Sequence, residues 1–344
     1  MKDNTSSIKV TTFGELLLRM HVSGGNRFTQ TKELQVYTGG AEANVCILLS
    51  QLGINTHYVT RLPDNDLAQL ALNELHKYKV DTADCIYGGE RMGLYFVESG
   101  NQIRASQVIY DRNNSAFSTI NEEDINWDTV LSESSLFHWS GISPGVSNNA
   151  ALMCKKAIVS AHNKGIDISS DFNFRSKLWQ YGKHPSEIMP ELLYYSTITI
   201  ADLNSSEIYF GLDINKNDSH SDRFLRVYEM LKEKMPYLKT LAMSFRISEG
   251  ATQVYYYGML LHEDKLYESK KARLHIITDQ IGTGDAFCAG LLYGLTGNFS
   301  GQETIDMAIA CGALKQSIPG DFAIISPSEI DHFINHNSSN RINR

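Results

Sequence analysis

The chain has 344 residues, of which 42% are hydrophobic and 20% charged, with a formal net charge of −8. This is a globular balance with enough apolar material for one large core or two ordinary ones, and the excess of acid speaks against a nucleic-acid partner. No apolar run reaches membrane-spanning length, the start MKDNTSSIK is polar, and five dispersed cysteines (46, 85, 154, 288 and 311) without CxxC fit a reducing cytoplasm better than a disulfide framework or a zinc site.

In chain order, short apolar runs expected as strands alternate with helical patterns. The strand candidates are IKVTTF (8–13), HYVTRL (57–62), LFHWS (136–140), IDISS (166–170), TITIA (197–201), TLAMS (240–244) and LHIIT (274–278). A helix is expected from Ala41 to Leu52, with Val45, Leu48, Leu49 and Leu52 on one face, and others near 66–78, 149–163, 222–234, 284–296 and 302–317. Such alternation predicts an α/β fold over 8–335, with a largely parallel sheet covered on both faces. Two stretches break the pattern. Residues 15–38 (ELLLRM, LQVYT) and 91–112 (RMGLYFVES, ASQVIYDR) each read as a strand pair around glycine, either a small separate sheet or ordinary edge hairpins. The tail at 336–344 is polar.

Two glycine stretches carry the candidate chemistry. DQIGTGDAF (279–287) places Gly282, Thr283 and Gly284 at the mouth of an apolar helix. The first amides of a helix lack intrahelical acceptors and the helix dipole adds positive charge there, so this is a natural anion site. Both glycines would permit positive φ and close approach of backbone to the anion. Asp285 would repel a phosphate but suits a hydroxyl about to attack one; it serves equally well as an ordinary helix cap. A Walker loop would need Lys and Ser/Thr after the last glycine, and a dinucleotide fingerprint would need glycine where Phe287 stands. The second stretch, GGAEAN, brings Gly39 and Gly40 to the start of the 41–52 helix, and its Asn44 could offer an amide to a polar ligand.

With both stretches in hand, the chain resembles the PfkB, or ribokinase-like, carbohydrate kinases. GGAEANVCILLSQLG looks like that family's N-terminal signature and DQIGTGDAFCAGLLYGL like its C-terminal one, in the expected order, with a likeness running from about Val10 to Phe333. Within the family it is most similar to 2-keto-3-deoxygluconate kinases, through VTRLPDNDLA (59–68), ERMGLYF (90–96), VIYDRNNSA (108–116) and SDFNFRSKLW (170–179). The resemblance implies a ribokinase-like three-layer α/β/α domain with a mostly parallel sheet, and a small β-sheet lid from 15–38 and 91–112. It implies phosphoryl transfer from ATP, with Mg2+, to the terminal hydroxyl of the keto-acid, with Asp285 as base and Gly282, Thr283 and Gly284 stabilising the transferring group.

The same resemblance assigns the sugar to Gly39, Gly40, Asn44, Tyr95, Tyr110, Arg112 and Arg175. A planar guanidinium grips a carboxylate with two hydrogen bonds, which a neutral sugar would not need. The nucleotide falls to Asn173, Asn204, Ser244, Arg246, Gly282 and Gly284. Asn204 and Glu207 match an Asn-x-x-Glu motif in which Glu207 holds the hydrated metal through water; the same spacing also reads as a helix cap and its partner. Asp321 lies within possible reach without an assigned role. A homodimer or higher oligomer through the lid is expected. One departure stands out. SFRISEGA (244–251) has Arg246 where a glycine-bearing turn near the phosphates is usual. Another sugar, such as fructose or an aminosugar, and a non-catalytic binding relative are the competing readings.

Overall fold

Strand and helix alternate from Lys9 onward in the computed structural model, which describes residues 8–100, 104–249, 253–274 and 277–336. The chain opens with β1 (Lys9–Phe13), β2 (Leu17–Val22), β3 (Gln35–Gly39), α1 (Ala41–Gln51) and β4 (Asn55–Val59). Then come β5 (Arg61–Leu62), α2 (Asp66–Lys77), β6 (Ile86–Tyr87), β7 (Gly93–Glu98) and β8 (Gln107–Asp111). The middle holds α3 (Trp127–Val130), β9 (Leu136–Ser140), α4 (Ile142–Val146), α5 (Asn148–Asn163), β10 (Asp167–Asp171), α6 (Pro185–Leu193), β11 (Ile198–Ile200), α7 (Leu203–Phe210) and α8 (His220–Lys234). The last third is β12 (Thr240–Glu249), β13 (Gln253–His262), β14 (Lys265–Glu268), β15 (Ala272–Leu274), α9 (Thr283–Thr296), α10 (Gly301–Lys315) and α11 (Pro327–His336).

The large sheet runs β14-β13-β12-β11-β10-β9-β1-β4, with β15 also on β13. From β12 to β4 every pairing is parallel; the β12–β13–β14 end is antiparallel. Side chains alternate between the two faces, as the period of a strand requires. On one face Phe13, Phe137 and Trp139 pack with Met153, Leu192 and Phe224 from α5, α6 and α8. On the other, Val10 and Leu136 pack with Val45, Phe287, Leu291 and Ile309 from α1, α9 and α10. These are the three layers α/β/α, and they explain why the parallel strands read as nearly continuous apolar runs.

A separate four-stranded sheet has the order β3-β2-β7-β8. Each of the two irregular stretches forms an antiparallel pair, and parallel pairing of β2 with β7 joins them. They are therefore neither edge hairpins nor part of the large sheet. The expected strand 57–62 splits at Thr60. Its second half, β5, leaves the large sheet and pairs with β6. The expected strand 274–278 keeps only Leu274 within β15, which runs antiparallel to β13; residues 275–276 lie outside the described residues, as do the polar start and the tail from 337. The expected turn after TLAMS is absent where it is described. Residues 240–249 form one ten-residue strand paired in unbroken register with β13, because Phe245, Arg246 and Ile247 favour extended backbone and no glycine interrupts them.

Close packing of α9 on α10 brings the first of these helices to its place on the sheet. A Cβ added to Gly290 would stand 2.9 Å from the Ala308 Cα and 2.9 Å from the Met307 carbonyl oxygen. Gly290→Val should therefore destabilise the fold by about 1–3 kcal/mol, the usual cost of overpacking, read as a lower urea midpoint at unchanged slope.

Candidate active site

The carboxyl ends of the parallel strands open on a cavity of about 520 Å3 lined by residues of both sheets. Ligands of open α/β sheets bind at this edge. α9 begins here. Its N-cap is Gly282, at φ 82°, with no side-chain cap, so the first amides of the helix stand free of one. A Cβ at Gly282 would strike the Asp321 carbonyl oxygen at 2.1 Å. Positive φ was expected of both glycines. Only Gly282 adopts it, because Gly284 already lies inside the helix, where a Cβ would meet no described atom within 4 Å. The capping reading of Asp285 also falls, since Asp285 sits in the first turn and its side chain faces α1 instead.

That carboxylate accepts a hydrogen bond from Asn44 Nδ2 at 2.5 Å. Burial pushes the Asp285 carboxyl up to about 6, against the opposing effects of the Asn44 amide, Arg175 and Lys315. Beside Asn44, the Glu42 carboxylate is wholly buried and accepts from the Ser140 amide at 3.0 Å and the Ser140 hydroxyl at 2.7 Å. Burial raises it to about 7, and the charge of Asp285 adds to the rise. These bonds tie the start of α1 to the end of β9.

Gly40, Asn44, Tyr95, Tyr110, Arg112, Asn173, Arg175, Ser244 and the 282–285 turn all line the one cavity. Gly39, Asn204, Glu207 and Arg246 do not. Gly39 lies under Asp321, whose Oδ1 would be 2.1 Å from a Cβ there, so its smallness serves protein packing. Asn204 is exposed and is not the cap of α7; Asp202 is, accepting from the Ser205 amide at 2.9 Å. Arg246 is an exposed strand residue opposite Tyr256. Arg112 is buried and donates from Nε to Glu15 at 2.6 Å, with its Nη2 left unpartnered. Arg175, by contrast, is exposed, donates to its neighbour's carbonyl at Phe174, and forms no ion pair among the described residues. Asn173 holds φ 38°, a left-handed value that asparagine tolerates better than most residues.

The model for "pfkB family carbohydrate kinase" matches residues 8–323. The chain belongs to the pfkB family of carbohydrate kinases. It is accordingly a phosphotransferase with an alcohol group as acceptor. This kinase is 34% identical to the crystal structure of 2-dehydro-3-deoxygluconokinase from Thermotoga maritima, with a TM-score of 0.90 over 95% of this chain and 99% of that one. It is 27% identical to 2-dehydro-3-deoxygalactonokinase of Haloferax volcanii, over 95% of this chain and 96% of the relative. It is 26% identical to probable fructokinase-6 of Arabidopsis thaliana, over 94% and 81%.

The kinase's cavity also holds acids that sequence reasoning passed over. Asp171, at the end of β10, is held well above the usual carboxylate range by burial and then by Asp285, with Arg175 opposing. Asp202 and Asp279 line the cavity too, as does Asp321, which the sequence reading placed within reach of the site without a role. Asp171 and Asp279 stood inside quoted motifs, and their position at a strand end or turn start was the available signal.

Because the Asp285 carboxyl titrates higher folded than unfolded, the folded state loses stability as pH rises from about 4 through about 6. An amide at this position cannot ionise and can still accept from Asn44. Asp285→Asn should therefore melt above the parent enzyme near neutral pH, with the gap closing toward about pH 4. Thermal melts across that range check it; a gap that does not change with pH would refute the buried-charge account.

Proposed function

We propose that this kinase transfers the γ-phosphoryl group of ATP to the terminal hydroxyl of 2-keto-3-deoxygluconate, giving the 6-phosphate and ADP. The observation that supports the acid substrate most is Arg175, a guanidinium without an ion pair among the described residues, in the same cavity as Asp285 and the start of α9, which has no side-chain cap. The Thermotoga and Haloferax relatives, a 2-dehydro-3-deoxygluconokinase and a 2-dehydro-3-deoxygalactonokinase, agree with a keto-deoxy sugar acid.

In this reading the sugar lies against Gly40 and Asn44, with Tyr95, Tyr110, Arg112 and Arg175 around its acid end. Asp285 takes the hydroxyl proton, which typically contributes about 10²–10⁴-fold. Amides of Gly282, Thr283 and Gly284 stabilise charge on the transferring group. Asn173 and Ser244 border the nucleotide, with Asn204 on the neighbouring helix. Arg246 shares a strand face with Ser244 and lies near enough in sequence to add a phosphate contact. Mg2+ fits the oxygen-rich donor set: the raised Asp171 carboxyl would return to its ionised form beside a cation, and Glu207 would reach the hydrated metal through water. When bound, the metal neutralises phosphate charge; positioning falls to the chain itself.

Fructose or another ketose is the second reading. It draws on Arg112, whose Nε is committed to Glu15, and on the likeness to a probable fructokinase. ADP release with ATP and Mg2+ against 2-keto-3-deoxygluconate, its galactonate-derived epimer, fructose, ribose and no sugar separates the readings. Turnover should be confined to the keto-acids, and Asp285→Asn should lose at least ~10²-fold. Arg175→Ala should raise KM for the keto-acid far more than for ATP. Fructose turnover alone would reject the acid substrate while leaving the phosphotransferase intact.

We also propose a homo-oligomer through the small sheet. Val36, Met20, Phe96 and Ile109 are register partners across all four strands, and Val36 and Ile109 are 48% and 50% exposed. Their neighbours Tyr95, Val97 and Tyr110 face the cavity, so this apolar row faces away from it. A second copy of the sheet would cover it. Sedimentation velocity at micromolar concentration should give a dimer or larger species, and Ile109→Glu should shift it toward monomer. A monomeric parent enzyme would reject the assembly.

A further inference from the structure

A cluster of buried charges lies beneath the Gly282–Asp285 turn. Arg19, on β2, is fully buried. Its Nη2 meets Asp279 Oδ2 at 2.7 Å and its Nη1 meets Asp321 Oδ2 at 3.1 Å. Asp279 in turn accepts from the Ile281 amide at 3.1 Å through Oδ1 and from the Gly320 amide at 3.1 Å through Oδ2. Asp321 accepts from the Tyr95 hydroxyl, and its backbone carbonyl forms the floor against which Gly282 packs. Arg19 and Tyr95 are register partners on β2 and β7. The small sheet thus holds both supports of the turn with two adjacent side chains. Lys315, also fully buried, lies against Gly282 from below and donates to the Ile318 carbonyl at 2.9 Å.

We propose that Arg19 is a positioning residue for phosphoryl transfer, fixing the 282–285 turn through Asp279 and Asp321 and coupling it to the small sheet. The inference rests on the reading of that turn as the phosphoryl-stabilising element. Two consequences follow from the geometry. The Ile281 amide is held one residue before Gly282, so loss of Arg19 frees Asp279 and lets the turn shift; a displacement of about 1 Å at a reacting centre can cost ~10²-fold. The charges also balance, with Arg19 and Lys315 against Asp279 and Asp321. Without Arg19 the cluster gains a net negative charge next to a site for phosphate, which lowers transition-state stabilisation. Arg19 itself does not line the cavity, and its nearest route to the sugar runs through Asp321 to the Tyr95 hydroxyl, so binding changes less than turnover.

The test is steady-state kinetics of Arg19→Gln, Arg19→Lys, Arg19→Ala and Asp285→Asn with the sugar of highest turnover in the panel. Arg19→Gln should lose at least ~10²-fold in kcat while both KM values stay within about threefold, the signature of an interaction that matters in the transition state. Arg19→Lys, which keeps the charge but reaches only one acid at a time, should fall between Gln and the parent. Guanidinium ion at a sub-denaturing concentration should restore turnover to Arg19→Ala, and sodium chloride at the same ionic strength should not. A folded Arg19→Gln with kcat within about threefold of the parent overturns the proposal, as does a loss confined to KM. If Arg19→Gln does not fold, Asp279→Ala decides. It leaves the Arg19–Asp321 pair in place but removes the carboxylate that accepts from the Ile281 and Gly320 amides, so it should lose at least ~10-fold in kcat through the freed turn alone; unchanged kcat there overturns the proposal. Full turnover in Asp285→Asn would remove the reading of the turn itself. A loss in Asp285→Asn beside an intact Arg19→Gln removes this inference alone.

Discussion

One hydrogen bond, from the Asn44 amide to the Asp285 carboxylate, constrains much of the rest of the molecule. Its partners sit in the first turns of α1 and α9, which lie at opposite ends of the chain. For both to reach one point, the two helices must pack side by side on the same face of the sheet with their N-termini at the carboxyl edge of the strands. The shared core of Val45, Leu48, Phe287 and Leu291 does this. Two helix N-termini then converge on one carboxylate, and their partial positive charge offsets part of the cost of burying it. Glu42 completes the arrangement by bonding the α1 start to Ser140, so the amide that orients Asp285 is itself held.

The same burial sets the electrical character of the site. Burial raises Asp285, Glu42 and Asp171, and the charge of Asp285 adds to the rise of the other two. Protons therefore compete for Asp285 and Glu42 toward neutral pH, and Asp171 too is held above the usual carboxylate range. A ligand that carries cationic charge, or brings a metal with it, can replace those protons at little cost. Such a cavity suits the proposed nucleotide accompanied by a cation better than a bare anion. On the proposed reading this resolves the apparent conflict of an acid placed next to an anion site: the acid would serve the acceptor hydroxyl, and the helix amides the phosphoryl group.

Much of this was legible in the residues, and the remainder was not for definite reasons. Gly282 and the 284–296 apolar stretch announced a helix start because backbone geometry and periodicity are local properties. The α/β layering followed from alternation, since parallel strands must bury both faces. Arg19 carried no signal. A lone arginine within ELLLRM reads as a solvent-facing strand residue, and its partners Asp279 and Asp321 lie nearly the whole chain away. Arg246 misled for the opposite reason. A familiar position was expected to turn, but the local run Phe245-Arg246-Ile247 prefers extended backbone, and pairing with Tyr255, Tyr256 and Tyr257 carried the strand on. The cap of α7 went to Asp202 rather than Asn204 because spacing alone does not say which of two nearby polar residues has extended φ and ψ.

The two arginines expected to meet an acid group differ in burial and in pairing. Arg112 is buried against Glu15, so the pair contributes little net charge to the cavity, and its geometry is fixed before any ligand arrives. What it can still offer is direction, through an Nη2 that has no partner. Arg175 is exposed and without an ion pair among the described residues, and its charge is felt by both Asp171 and Asp285. It supplies attraction but must give up side-chain freedom on binding, which costs up to about 2 kcal/mol. An acid substrate therefore needs both: a rigid donor that fixes orientation and a mobile cation that provides net charge. A neutral ketose could use the first alone. If the proposed acid substrate holds, discrimination between sugar classes turns on Arg175 rather than on the arginine that the fold holds more tightly.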